Sequence, residues 1–530
     1  MNNNSIPRAK SPENVGVSSS AVNKMVEELI CRGINIHSMM ILRYGKVAME
    51  GWSAPLTADM PHMVYSVSKS FLATAYGFAL DEGLITRETR VVDIIPELRP
   101  KKRDEWMEKL TIHHLLTMTA GKQSSIKGVK NKDWLKDFAK AKWLFEPGNG
   151  WRYVNDNYYI AAVMLVRVIG EGVTDYLTPR LFKPLGMDVP FWEKSANGIE
   201  AGGWGLMLKT EDMAKFVLCY HNGGMYNGVQ IIPEWWVNEA TSLITDNSHV
   251  ETHADSSAGY GCGFWRCAGM PNTFRCEGMF CQYAISLRDY DACLIMTSDH
   301  SDLQETLDMI WQFLPRVFIE PCEITGSTKI NLNDAWCAKQ TARNTDIETK
   351  INKRVYSLRR CRFVNAIGFP VSIFPMPVVF FDYNTCGNMN NVSFEFFSDY
   401  CVFSWDEDGG YHNSVNLGLD GVPRDGKVEI GQLKLPVLSY AYWDSDSSLV
   451  LHIRALPTVA ERILRFRFSG NRIVMEPSSK PGTDEKAQKI GDKLKCILIG
   501  KWFHWWIDFL VPKVGKILNP THYGKSKNQK

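Results

Sequence analysis

The chain has 530 residues, 45% of them hydrophobic and 12% aromatic, more apolar material than a single core usually holds, so at least two domains are expected. Lys and Arg total 60 against 58 Asp and Glu, a net charge of +2 that gives no electrostatic footing for nucleic acid or an acidic partner. No apolar stretch reaches the length of a bilayer span.

The opening, MNNNSIPRAKSPENVGVSSS, lacks the apolar run of a secretory signal. Residues 1–19 are therefore expected to be a disordered leader and the protein to be cytoplasmic. The 13 cysteines agree with that compartment: none forms a CxxC pair and most sit singly in apolar runs such as FVLCY and DACLIM. Cys262/Cys267 and Cys276/Cys281 share a spacing, but their flanks read as adjacent strands, so buried thiols are expected rather than a metal site.

SSAVNKMVEELICRG places a serine cap before an amphipathic helix that ends at Gly33. HSMMILRYGKVAMEGW then reads as two strands with the turn at Tyr44 and Gly45. A helix followed by a hairpin points to an α+β fold, with helices packed on an antiparallel sheet, rather than to a βαβ series. MVYSVSKSFLATAYGFALDEGL, residues 63–84, puts Ser66 at the start of an apolar-periodic helix with Lys69 one turn on. From Leu84 to about Gly205 the chain is mostly helical, with TIHHLLTM and NYYIAAVMLVRVIGEG the clearest segments and FEPGNGW a marked loop. KTEDMAKFVLCYHNGG is a further helix, capped by Thr210. Strands follow from Tyr260 to Ser298, and LQETLDMIWQFL closes a first domain spanning 20–320.

A linker is expected over 321–353, then an all-β domain of meander or barrel type over 354–476, marked by NVSFEFF, CVFSW, SLVLHIRAL, ILRFRF and RIVM. A second linker, 477–490, leads to residues 491–530. There Lys501, His504 and Asp508 fall on one stripe of a tryptophan-rich amphipathic helix. Such a helix either makes peripheral contact with a membrane or docks on the protein's own surface. The closing YGKSKNQK is expected to be disordered.

Residues three apart on a helix share a face, so the Lys69 amine can approach the Ser66 hydroxyl, and the exposed N–H groups of a first turn favour developing negative charge. A serine becomes a nucleophile when a base takes its proton, and a lysine serves when desolvation lowers its pKa. The alternative is a capping serine beside a solvated lysine. Ser124 and Lys127 repeat the spacing without an apolar run behind them. In EPGNGWRYVNDNYY, Tyr153 can pass a proton and Asn155 can donate to a carbonyl, just before a helix capped by Asn155 or Asp156. GxSxG, HExxH, GxxxxGK[ST] and GxGxxG are absent, and His113 and His114 read as helix-packing residues.

YSVSKSF around Ser66, LTIHHLLTMTAG, FEPGNGWRYVN, LFKPLGM, GGWGLMLKTEDMAKF and GMFCQYAISLRDYDACLIMTS occur together and in order over roughly residues 20 to 315. In these the sequence resembles the serine β-lactamase-related hydrolases, which include class C β-lactamases, D-alanyl-D-alanine carboxypeptidases and related esterases and amidases. The resemblance implies a β-lactamase/transpeptidase-like antiparallel sheet flanked by helices, with the site between it and a helical subdomain. It implies Ser66 as acylated nucleophile, Lys69 as general base, Tyr153 as second proton-transfer group and Asn155 as a substrate-orienting amide, with no metal or organic cofactor. The family's third element falls at Cys276, Glu277 and Gly278, where only the glycine matches. Gly278 would let substrate lie against the strand, and the Met279 N–H would join that of Ser66 as an oxyanion hole. With a thiol and an acid where a carboxylate is usually received, the expected substrate is a small ester or amide rather than a β-lactam; a non-catalytic ligand-binding or sensor protein on the same fold is the alternative.

Overall fold

The computed structural model describes residues 5–99, 104–124, 133–332, 338–359, 389–480 and 519–527. The chain forms two compact units, one reaching to residue 335 and one continuing from residue 336.

The first unit is built on a six-stranded antiparallel sheet. Its strands are β1 (Ile36–Arg43), β2 (Lys46–Trp52), β3 (Trp265–Arg266), β4 (Phe274–Gly278), β5 (Gln282–Leu287) and β6 (Ala292–Ser298), in the order β2-β1-β6-β5-β4-β3. The β1–β2 turn falls at Tyr44 and Gly45, both with positive φ (51° and 69°), the geometry a two-residue hairpin loop requires. Helices α1 (Ser19–Cys31) and α5 (Leu303–Val317) cover one face, where Val22, Met25, Leu29, Ile310 and Leu314 meet Met39, Ile41, Ile285 and Leu294. Helix α4 (Thr210–His221) packs on β1, β5 and β6, tied across by Ser38 Oγ to Thr210 Oγ1 (2.7 Å) and His221 Nδ1 to Ser286 Oγ (2.9 Å). Thr210 is its first residue and carries no side-chain cap; Lys209 holds that position. Between 84 and 205 lie short helices and one long one, α3 (Asn155–Ile169), packed against α2 (Ser68–Asp81).

The leader is ordered from residue 5. Arg8 pairs with Glu50 and Glu211, each at 2.9 Å, and Glu13 accepts from the backbone N–H of Ser19 and of Gly326, both at 3.0 Å. Polar composition suggested disorder here, but Arg8 and Glu13 find partners distant in sequence. The expected linker 321–353 is also structured in part: Ile330 N–H donates to the Glu50 carbonyl at 2.9 Å along the outer edge of β2, and helix α6 runs over Thr345–Ile351.

The second unit is a barrel-like sheet. Among the described residues it has ten strands: β7 (Val355–Leu358), β8 (Met389–Phe396), β9 (Tyr400–Glu407), β10 (Tyr411–Gly418), β11 (Arg424–Ile430), β12 (Leu433–Ser445), β13 (Ser448–Ala455), β14 (Glu461–Ser469), β15 (Arg472–Lys480) and β16 (His522–Ser526). Sequential neighbours pair except β10 and β11, which end the strand order, and β16 inserts between β7 and β15; a parallel bridge from Gly418 of β10 to Tyr440 links β10 to β12. Phe394 anchors the interior, 5.2 Å from Phe403, 5.1 Å from Phe466 and 5.6 Å from Phe468, centroid to centroid. Two expectations are corrected. The linker does not begin at 477, because Arg472–Lys480 is one strand; and Tyr523–Ser526, placed in a disordered tail, belongs to β16. The tryptophan-rich helix lies outside the described residues.

Candidate active site

Helix α2 is buried from Ser68 to Ala79, so it runs through the core, and a side chain anywhere on its first turns loses water. Ser66 sits just ahead of it in a single 3₁₀ turn, Tyr65–Val67. The preceding residue, Tyr65, has φ 48°, a left-handed conformation that is costly for an aromatic side chain and is retained where surrounding structure enforces it. Ser68 enforces it here: its hydroxyl donates to the Tyr65 carbonyl at 2.6 Å and accepts from Leu206 N–H at 3.2 Å.

Lys69 is 1% exposed, and burial holds its amine well below the ordinary 10.5. Nζ has three polar partners: the Gly203 carbonyl at 2.7 Å, Asn155 Oδ1 at 2.8 Å and Ser66 Oγ at 2.9 Å. Two are pure acceptors. A neutral amine has two N–H donors and one lone pair, so donation to Gly203 and Asn155 leaves the lone pair for the Ser66 O–H. Tyr153 and Tyr158 complete the enclosure, their ring centroids 4.8 and 5.7 Å from Nζ.

Tyr153 is half-buried. Desolvation raises its phenol well above its ordinary value, against an opposing hydrogen bond to Ser66, so it stays a neutral phenol. Asn155 is the first residue of α3, and its side chain does not cap the helix; the N-cap is Val154. Its Oδ1 is committed to Lys69, which aims the NH2 group elsewhere.

Gly278 ends β4 against the turn that carries Ser66. A Cβ there would lie 2.2 Å from the Val64 carbonyl oxygen, so the glycine is needed first for that approach. Met279 follows, 46% exposed, in a turn with positive φ at Phe280 and Cys281. The Gln282 amide braces the turn by donating to the carbonyls of Phe280 (2.9 Å) and Ser298 (2.7 Å), and Phe280 meets Tyr65 edge-on at 5.3 Å. Cys276 is buried, its thiol pushed up to about 12 by desolvation, hence unreactive. Arg275 and Glu277 share the opposite strand face, as alternation requires, and Arg275 Nε donates to Glu277 Oε2 at 2.7 Å.

His113 and His114 lie on a short helix, where His114 Nδ1 closes a capping box with Thr111. Two contributors carried no signal in composition. The Gly203 carbonyl is backbone; its trace is the Gly202–Gly203 pair, where a Cβ on Gly202 would strike the Tyr158 carbonyl at 2.4 Å. Trp265 reads as an ordinary strand residue, yet it stacks on Tyr153.

A short turn carrying Ser66 and feeding a core helix, between an antiparallel sheet and a helical subdomain, puts the first unit in the β-lactamase/transpeptidase-like class. The chain belongs to the beta-lactamase family: the family model, Beta-lactamase, matches residues 23–312. An uncharacterised protein of Alkalihalophilus pseudofirmus is 24% identical over 257 residues, 44% of this chain and 71% of that protein. Esterase EstB of Burkholderia gladioli is 29% identical over 152 residues, 25% of this chain and only 38% of the esterase. A penicillin-binding protein homologue from Caulobacter crescentus superposes with TM-score 0.46 and 16% identity, covering 56% of this chain and 97% of that one.

Proposed function

We propose that the protein is a serine hydrolase that cleaves small esters or amides through an acyl-enzyme on Ser66. The observation that carries this is the partner set of Lys69, which suits a neutral amine with its lone pair on the Ser66 hydroxyl. In this reading Lys69 takes the Ser66 proton, Oγ attacks the carbonyl carbon, and the N–H groups of Ser66 and Met279 receive the oxyanion. Tyr153 delivers a proton to the leaving oxygen or nitrogen as the carbonyl reforms, and the Asn155 amide orients the acyl group. Water, deprotonated by the same pair, then releases the acid.

The substrate class follows from charge. Arg275 is spent on Glu277 and Cys276 is a buried thiol, so neither offers the strand edge a free cation for a carboxylate. An ester or amide without that group fits better than a penicillin, and one relative, EstB, is named an esterase. Among the described residues nine cysteines are free, which supports placement in the reducing cytoplasm.

The test is intact-mass analysis after exposure to a fluorophosphonate probe. One adduct is expected on the parent, none on Ser66→Ala, and a labelling rate for Lys69→Ala slower by about a hundredfold or more, the usual scale of general-base assistance. Folded parent protein that takes no adduct would leave a non-catalytic ligand-binding protein as the better reading.

A further inference from the structure

Tyr153 belongs to the loop between Phe145 and α3, and a loop by itself fixes a ring poorly. Its ring stacks on the indole of Trp265, centroids 5.3 Å apart and planes 26° from parallel, and also lies 4.8 Å from Lys69 Nζ. Trp265 is in turn met edge-on by Tyr260 at 4.9 Å and Trp151 at 5.8 Å. Arg275, its cross-strand partner, sets its guanidinium carbon 5.6 Å from the indole centroid. The guanidinium is held by Glu277 and by the backbone carbonyls of Arg266 and Asp255. A continuous series of contacts thus runs from the Glu277 carboxylate to the base.

We infer that Trp265, backed by the Arg275–Glu277 ion pair, is a positioning residue that sets the Tyr153 ring between itself and Lys69. Arg275 and Glu277 then act on Tyr153 rather than by touching substrate, through the Trp265 ring and, for the Glu277 charge, directly as well. The groups facing Lys69 Nζ are Ser66, Asn155, the Gly203 carbonyl and the rings of Tyr153 and Tyr158; with Tyr153 displaced, water gains a route to the amine.

This inference rests on the serine hydrolase reading, and the experiment separates the two. The full chain and its Trp265→Leu, Trp265→Phe and Glu277→Gln variants are checked for folding by circular dichroism, and fluorophosphonate labelling of Ser66 is timed by intact mass across a pH series. Trp265→Leu is expected to label at least about tenfold more slowly at neutral pH, the order of loss that a misplaced catalytic group brings. Its rate–pH midpoint moves upward as Lys69 is hydrated. Trp265→Phe, which keeps a flat ring, returns the rate to within about threefold of the parent. Glu277→Gln falls between and decides the matter if the leucine variant does not fold. A folded Trp265→Leu, or failing that Glu277→Gln, with the parental rate and midpoint overturns the positioning role while the hydrolase reading stands. A parent that takes no label overturns both.

Discussion

Lys69 can serve as a base only while it is uncharged, and its surroundings enforce that at a cost to the fold. Folding holds the amine well below 10.5, whereas the unfolded chain protonates it freely. The cost is therefore full below the folded pKa, shrinks as pH rises from there toward 10.5, and is gone once the unfolded chain has also lost that proton. Lys69→Met removes the titration. The melting temperature of that variant minus that of the parent is expected to fall as pH is raised from about 7 to about 10; a constant difference would mean that the amine stays charged in the fold. Gly278 carries a second prediction at this scale. A methyl 2.2 Å from the Val64 oxygen must push β4 off the nucleophile turn, so Gly278→Ala is expected to lose about 1–3 kcal/mol of stability in denaturant melts, as overpacking typically does. It should also lose most Ser66 labelling.

Among elements, the insertion of β16 between β7 and β15 makes a sharp prediction. Its residues pair with Tyr356–Leu358 on one side and Arg472–Met475 on the other, so removing residues 519–530 leaves β7 and β15 each with an unpaired edge. Exposed edges recruit further strands; the truncated chain is expected to elute as oligomers or aggregate in size-exclusion chromatography, and a monodisperse product would count against this role of β16. This strand also shows where sequence reading stopped. Its inward positions are His522 and Gly524, so the apolar alternation that revealed SLVLHIRAL and ILRFRF is missing, and Gly524 is there because Ile473 crowds it, with 2.6 Å to a built Cβ. The leader failed for a related reason: Arg8 closes on carboxylates 42 and 203 residues away, a pairing that no local pattern carries. By contrast the β1–β2 hairpin, α1 and α5 were legible, because turn residues, caps and a single apolar face are local facts.

For the whole molecule, every residue given a part in the proposed reaction lies in the first unit: Ser66, Lys69, Tyr153, Asn155, Gly278 and Met279 are all within the residues that the family model matches. A chain ending at residue 335 is accordingly expected to label at Ser66 at the rate of the full protein; a large drop would assign the second unit a part in the chemistry. The contact between Ser66 and Lys69 was readable because three-residue spacing on a helix converts directly into proximity. The carbonyl of Gly203 and the indole of Trp265 were not, since a backbone atom has no residue-type signature and a strand tryptophan looks like core.

The order of strands in the second unit also sets a timetable for synthesis. As the polypeptide leaves the ribosome, β7 to β10 and β11 to β15 can each pair in succession, but the gap between β7 and β15 stays open until residue 526 is clear of the exit tunnel. Until then a nascent sheet with two unfilled edges must be shielded from its neighbours. Products of premature termination in the preceding stretch would carry that same open gap, and so be marked for chaperones and proteases by their architecture.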